Sequence, residues 1–382
     1  MMQMCSRVHS ASNANPPRKY KYCLCLCLFA LFYESVFIVC AKLASRATKA
    51  TIVDVAREAG VSHATVSRVL NDSGYTKAST RVAVLAAVEK LGYVANQSAR
   101  RLAGASSRLV GLLLPDISGS YVGELAELVD EELHKADYDV AIFPHHSMAG
   151  REQSLIERTT TGFLDGLIIM VTAPPEAYID LLGPRGVPFV LLGSEQAGAG
   201  QPVVSQTNYQ GAYDATTHLI ELGHRRIAFL RGPDGRASSL DRLAGYQSAL
   251  ADADIVFDER LVEPGDYVQR AGYEASLRLL DEPQPPSAIF AGNDLSAIGA
   301  LEAARSRGLS VPNDLSIVGF DDVPEASAMD PRLTTVNIPL KMMAREAVRM
   351  LLRRLADPQA QVRSVTLATR LVIRESTAPP GG

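Results

Sequence analysis

A run of twenty-one residues, Thr51 to Asn71 (TIVDVAREAGVSHATVSRVLN), leaves this chain little choice of local fold. Val55, Ala56 and Ala59 share one helical face, and Gly60 interrupts that pattern just before Val61 and Ser62, which predicts a helix followed by a tight turn. The Ser62 hydroxyl suits the cap of a second helix, whose Val66, Val69 and Leu70, spaced by three and one, form an inward stripe. Two short helices clamped across a glycine turn leave the outer face of the second one open. His63, Ala64, Ser67 and Arg68 stand on that face.

A helix-turn-helix offers such a face to the major groove of DNA. Arg68 can donate two hydrogen bonds to a guanine, and the hydroxyls of Ser62, Thr65 and Ser67 can bond phosphates. The pattern alone also fits a solvated helical hairpin. The residues AGVSHATVSRVLN are more specific: the run resembles the amino-terminal headpiece of the lactose-repressor (LacI/GalR) family of bacterial transcription regulators. That resemblance implies DNA contacts from Thr51, Ser62, His63, Ala64, Thr65, Ser67, Arg68 and Asn71, and beyond the headpiece from Tyr93, Asn96, Ala99 and Leu102.

What precedes the headpiece is different in kind. Residues 1–46 hold two apolar runs, Cys23 to Tyr33 and Val36 to Ala44, preceded by Arg18, Lys19 and Lys21. The block looks like a signal peptide or membrane anchor, yet Glu34 and Ser35 sit in its middle, where a charge costs about 2.5 kcal/mol or more. All five cysteines (Cys5, Cys23, Cys25, Cys27, Cys40) lie in it, and a cysteine-free body suits a reducing compartment. We expect the extension to reflect where the reading frame is opened, with the functional chain starting near Leu43 and residing in the cytoplasm. A membrane tether through residues 20–44 is the alternative.

After Asn71 a third helix is expected from Thr80 to Leu91, burying Val82, Val84, Leu85, Val88 and Leu91 and ending at Gly92. Residues 47–108 carry nine basic and four acidic side chains, a net +5, whereas the chain from residue 109 onward is net −14. Only the amino-terminal module suits a polyanion. Tyr93 to Gly104 (YVANQSARRLAG) has the composition of a short, marginal helix. The family resemblance makes it a hinge helix that orders on DNA, with Leu102 as a wedge in the minor groove.

From Leu109 apolar runs alternate with helical segments, the signature of parallel βαβ construction. LVGLLLP, YDVAIF, DGLIIM, VPFVLL and PVVS read as strands of a first half; RRIAFLRGP, IVFDERLVEPG, SAIFAG and LSIVGFDD as those of a second. The expected fold is an all-α headpiece followed by an α/β core of two doubly wound subdomains, like periplasmic sugar-binding proteins. The boundaries are 47–92 for the headpiece, 93–108 for the hinge, 109–208 plus 336–360 and 209–335 plus 361–376 for the two subdomains, and 377–382 for a tail.

Ligands of such folds sit in the crevice at the carboxyl ends of the strands. The family's effector contacts fall on Arg242 in SSLDRLAGY, Asp321 in IVGFDD and Asn293 in FAGNDLSAIGA, with Asp294 beside it as a cap of the next helix and Tyr121 in DISGSY as a weaker contact. For Tyr121 and Asp116, packing and capping are equally good readings. Gly193 and Ser194 replace the acidic ligand residue of the lactose repressor, so the effector, expected to be a sugar or sugar derivative, is open, and purines enter because some relatives bind them.

Catalysis is not expected: the chain lacks a P-loop, a nucleophile elbow and HExxH spacing, and His145, His146, His218 and His224 read as local structural residues. No cofactor or metal is expected. An exported sugar receptor is the second reading, although it has no use for Thr51 to Gly104. The first predicts double-stranded operator DNA and a small molecule as partners and a homodimer, with a tetramer left open, because one short helix spans too few base pairs for specificity.

Overall fold

The computed structural model describes residues 50–70, 74–93, 106–115, 119–144, 163–171, 175–193 and 202–381. The extension 1–46 lies outside the described residues, as do Asn71, Asn96, Ala99, Leu102, Asp116, His145, His146 and Ser194. The chain forms two compact units, residues 1–100 and 101–382. No described helix is long and apolar enough to cross a membrane.

The first unit holds α1 (Ile52–Ala59), α2 (His63–Leu70) and α3 (Ala78–Leu91). Thr51 opens α1 with a reciprocal cap: its side chain accepts from the Asp54 amide, and the Asp54 carboxylate accepts from the Thr51 amide at 2.9 Å. Gly60 ends it in the left-handed region (φ 64°). Val55, Ala56, Val66, Val69, Val84 and Ala87 close the core, and Lys90 reaches Glu58 at 2.6 Å to tie α3 to α1. Two expectations for α3 fail. Val82 and Leu85 are 68% and 48% exposed, because the inward stripe is Val84, Ala87, Val88 and Leu91, and two short helices can cover only one side of a third. Thr51→Ala should cost the headpiece about 1 kcal/mol through loss of the cap. In amide exchange of the full chain, that reads as about five-fold faster exchange at Val55 and Val66, and unchanged exchange would deny the cap that role.

The second unit begins with β1 (Leu109–Leu114), α4 (Ser120–His134), β2 (Asp139–Pro144), β3 (Gly166–Met170), α5 (Pro175–Leu182), β4 (Phe189–Leu192) and β5 (Val203–Gln206). It continues through α6 (Asn208–Glu221), β6 (Ile227–Arg231), α7 (Ala237–Asp252), β7 (Val262–Pro264), α8 (Gln269–Leu280), β8 (Ala288–Ala291), α9 (Asp294–Ser306), β9 (Ser316–Val318) and α10 (Pro324–Ala328). It closes with β10 (Thr335–Asn337), α11 (Leu340–Ala356), β11 (Val365–Leu367) and β12 (Arg370–Val372).

The strands make two parallel sheets, β11-β5-β4-β3-β1-β2 and β7-β6-β8-β9, and an antiparallel pair, β10-β12. Continuous burial of β1, β4 and β8 matches sheets covered by helices on both faces. β11 pairs with β5, Val365 opposite Val204, so residues 365–367 join the first sheet and not the second half, to which 361–376 was expected to belong. A three-residue edge strand carries too little pattern to say which sheet it joins. Of IVFDERLVEPG only Val262–Pro264 is strand: Val256 is exposed, and Asp258 caps a short 3-10 turn instead.

Nor does a loose tail start at 377. The Ile317 amide donates to Ser376 O at 2.8 Å, and buried His224 holds the Ala378 carbonyl through Nε2 at 2.9 Å with Ser287 on Nδ1. His218 bonds Thr377 at 3.0 Å. Both described histidines of that pair therefore fasten the carboxyl-terminal segment to the second sheet.

The chain passes between the lobes three times, after β5, after β9 and after β11. At the crossings Thr207 and Thr369 bond one another through side chain and backbone, and the Asp321 amide donates to Val336 O at 2.8 Å. One connected apolar cluster, including Leu112, Val190, Phe229, Phe290, Phe320 and Met343, runs through both lobes. In the second lobe α8 crosses α9 at Gly272 and Gly299, where any side chain would strike the backbone of the facing helix.

Candidate functional sites

In the headpiece, α2 packs through Val66 and Val69 and leaves His63, Ala64 and Arg68 exposed, with Thr65 and Ser67 half-buried. This is the free face the sequence implied. The hydroxyls are less available than expected. Ser62 Oγ accepts from the Thr65 amide at 3.2 Å and shares a hydrogen bond with the Thr65 hydroxyl at 2.9 Å, while the Thr51 hydroxyl donates to Asp54 at 2.7 Å. Their first role is to fix the helix starts that aim the face. Arg68 meets no carboxylate among the described residues. Tyr93 packs half-buried against the headpiece core, its amide donating to Val88 O.

In the second unit a cleft open to solvent lies between the lobes. Strand ends from both sheets and the start of α7 line it. The first lobe supplies mainly apolar surface, Met170, Val171 and Leu192, with Tyr121 and Gln206 as its polar groups. Among the described residues, most of the polar lining belongs to the second lobe.

Arg242, on α7, is 4% exposed and anchors that lining. Its Nε donates to Asn208 Oδ1 at 3.0 Å, and Nη1 donates to the Gly292 carbonyl and to Asp321 Oδ1 at 3.4 Å. Its guanidinium lies 3.6 Å above the Phe320 ring and 5.4 Å from the Tyr267 ring centre. Asp321 is 8% exposed, held in the left-handed region (φ 116°) at the crossing into β10. A side chain kept there stores strain at a site the surrounding structure over-determines.

Asn293 also lines the cleft, but it is Asn293, not Asp294, that caps α9: its Oδ1 accepts from the Ser296 amide at 3.0 Å and its Nδ2 donates to Tyr267 O at 3.1 Å. Asp294 is fully buried, accepting from Thr335 Oγ1 at 2.5 Å and the Val323 amide at 2.9 Å. Burial and the Asp321 charge hold its carboxyl well above the usual range. Tyr121 is half-buried on the cleft, its phenol raised by burial and then by Asp321.

Burial pushes the Asp321 carboxyl from 3.8 up to about 7, with Arg242 pulling against the rise. A carboxyl that binds its proton more tightly folded than unfolded stabilises the fold fully below the unfolded value and loses that stabilisation as pH climbs through the folded one. Half-buried His218 and buried His224, both lowered by burial, act in the opposite sense, so the clean reading is a difference. Relative to Asp321→Asn, the urea midpoint of the native chain should fall between pH 4 and 7 and level off above. A gap independent of pH would remove Asp321 from this role.

The four effector contacts expected from sequence thus converge on one cleft. Sequence reasoning missed Gln206, Arg236, Ser238 and Tyr267, which line it too. Tyr267 carried a signal: it follows Gly265 and Asp266 after a strand end, and both Asp266 and Tyr267 adopt positive φ. Arg236 and Ser238 stand in the same helix start as Arg242, and Gln206 ends a strand, all at the carboxyl edge where such folds bind.

Residues 51–96 match the family model described as "Bacterial regulatory proteins, lacI family", and residues 216–377 match a "Periplasmic binding protein-like domain". Catabolite control protein A of Priestia megaterium is 36% identical over 328 residues, 86% of this chain and 99% of that protein. Among solved structures, the lac repressor dimer bound to operator and the anti-inducer ONPF superposes with a TM-score of 0.78 at 30% identity, covering 87% of this chain and all of the other. The complex of the transcriptional regulator CelR with cellobiose gives 0.64 at 32% identity over 86% of this chain and 99% of that one.

Proposed function

This chain belongs to the lacI family of bacterial regulatory proteins, and we propose that its cleft is the control input, binding a small hydroxylated effector, a sugar or sugar derivative, that sets how tightly the headpiece holds its operator. It is a DNA-binding repressor with an effector-binding core, not an enzyme. The observation that carries the control reading is the Arg242–Asp321 pair, buried in the cleft and wired by Asp321's own backbone to the crossing between lobes. A planar guanidinium and a carboxylate side by side can hold adjacent hydroxyls of one ligand by paired hydrogen bonds. The related CelR was solved with cellobiose, which supports a sugar here.

Two headpieces of a homodimer would read a two-fold operator, as the lac repressor is seen as a dimer on its operator, with base contacts from His63, Ala64 and Arg68. A ligand that pulls the lobes together changes how the two cores of the dimer meet, and so changes the DNA affinity. By linkage, DNA changes ligand affinity by the same factor, with a coupling of about 1–3 kcal/mol. The protein would work in the cytoplasm.

Electrophoretic shift with DNA from upstream of the gene tests the first half: a specific complex that weakens steeply with salt is expected, given the net +5 of residues 47–108. Absence of specific binding at any salt would favour a receptor over a regulator. A thermal-shift screen against sugars and nucleobases tests the second half, since a ligand of the native state raises Tm.

A further inference from the structure

We propose that the effector carries one anionic group, a phosphate or a carboxylate, and that Arg236 with the first turn of α7 forms the seat for it. This deepens the reading of the cleft as an effector site and rests on it. Among the described residues, the acidic and basic side chains that line the cleft are Arg236, Arg242 and Asp321. Arg242 and Asp321 answer each other, and Arg242 is further satisfied by Asn208 and Gly292. Arg236 is half-buried and makes no ion pair or side-chain hydrogen bond among the described residues; the nearby Asp234 is taken by Arg231. Among the described residues, the lining is therefore left with one unanswered positive charge.

The backbone adds to it. α7 is sixteen residues long, its cap position is Arg236 itself, no side chain caps it, and its first turn has no acidic residue. Ala237 and Ser238, whose amides precede the first intrahelical bonds, both line the cleft. Free amides and the positive end of a helix favour an anion at that spot, and a guanidinium beside them matches its oxygens in pairs.

An independent observation comes from the opposite wall. Gln206, 2% exposed at the end of β5, lines the same cleft and has no donor for its Oε1 among the described residues, while its Nε2 turns to Asn208 Oδ1. A buried acceptor without a donor is costly, and ligand is the natural source of one. The occupant must then offer an O–H or N–H to the first lobe and negative charge to the second, with Met170 and Leu192 against its apolar face. A neutral sugar serves Gln206 and leaves Arg236 unanswered. Free phosphate does the reverse. A hydroxylated body with one anionic end satisfies both walls and bridges them, and Gln206 is the residue immediately before the Thr207 crossing.

Isothermal titration of the full chain with glucose, glucose 6-phosphate, glucuronate, hypoxanthine and inorganic phosphate separates the outcomes, with Arg236→Gln and Arg236→Lys alongside and folding checked by Tm. An anionic sugar should bind about ten-fold or more tighter than glucose, lose that advantage in Arg236→Gln and regain most of it in Arg236→Lys. The phosphate and the glucuronate arms say which anion fits. If glucose or hypoxanthine binds as tightly as the anionic sugars and Arg236→Gln makes no difference, the anion seat is overturned while the effector cleft stands. If no probe binds, both are overturned.

Discussion

Arg242→Ala is expected to destabilise the two-lobed unit by about 3–5 kcal/mol and to abolish any response of DNA binding to ligand. Three losses add up: the bonds to Asn208 and Gly292, the cover over the Phe320 ring, and the counter-charge of Asp321. Asp321 has an escape, because its carboxyl already sits near 7 and would take up a proton once Arg242 is gone. That places the cost at the lower end of the range. The headpiece is a separate compact unit, so operator binding without ligand should persist wherever the core remains folded. Arg242→Lys keeps the charge but not the planar fork, and should recover stability better than ligand response. Urea midpoints and operator titrations with and without ligand read both effects. A variant that still responds would take Arg242 out of the site.

Arg68→Ala should weaken the specific operator complex by about 1–3 kcal/mol and random DNA far less. Arg68 is exposed on the free face of α2, and truncating it leaves no buried partner unsatisfied, so the fold should not change. Equal losses on both DNAs would mean that Arg68 touches only phosphate. The salt dependence supplies a second reading: a base contact leaves the slope of affinity against salt nearly unchanged, whereas a lost phosphate contact reduces it by about one unit.

What could be read from the sequence follows from how far each signal reaches along the chain. The helix-turn-helix was legible because its determinants, the Gly60 turn and the stripes of Val55 and Val66, lie close together along the chain. The strands of both sheets were legible as apolar runs, whereas Arg242, Asn293 and Asp321 were legible through the family resemblance of the motifs SSLDRLAGY, FAGNDLSAIGA and IVGFDD. Sheet-edge membership was not: Val365–Leu367 joins the first sheet through pairing with residues about 160 positions earlier, which three residues cannot announce. Val82 and Leu85 misled because apolarity sets a preference for burial but not the supply of cover. Arg236 and Gln206 have no local signature. Their meaning lies in what each lacks as a partner among the described residues, and that exists only once two lobes face each other.

The order in which the polypeptide leaves the ribosome has a consequence in this topology. The lobe that is begun first is completed last: its sheet awaits its covering helix α11 and then β11, whose Thr366 lies 161 residues after Ser205 of β5. At roughly 5–20 residues per second, that lobe's apolar faces stay open for about 8–30 s while the other lobe is synthesised in full. A nascent chain stalled before residue 340 should therefore be a chaperone client, and release of a few dozen further residues should end that dependence.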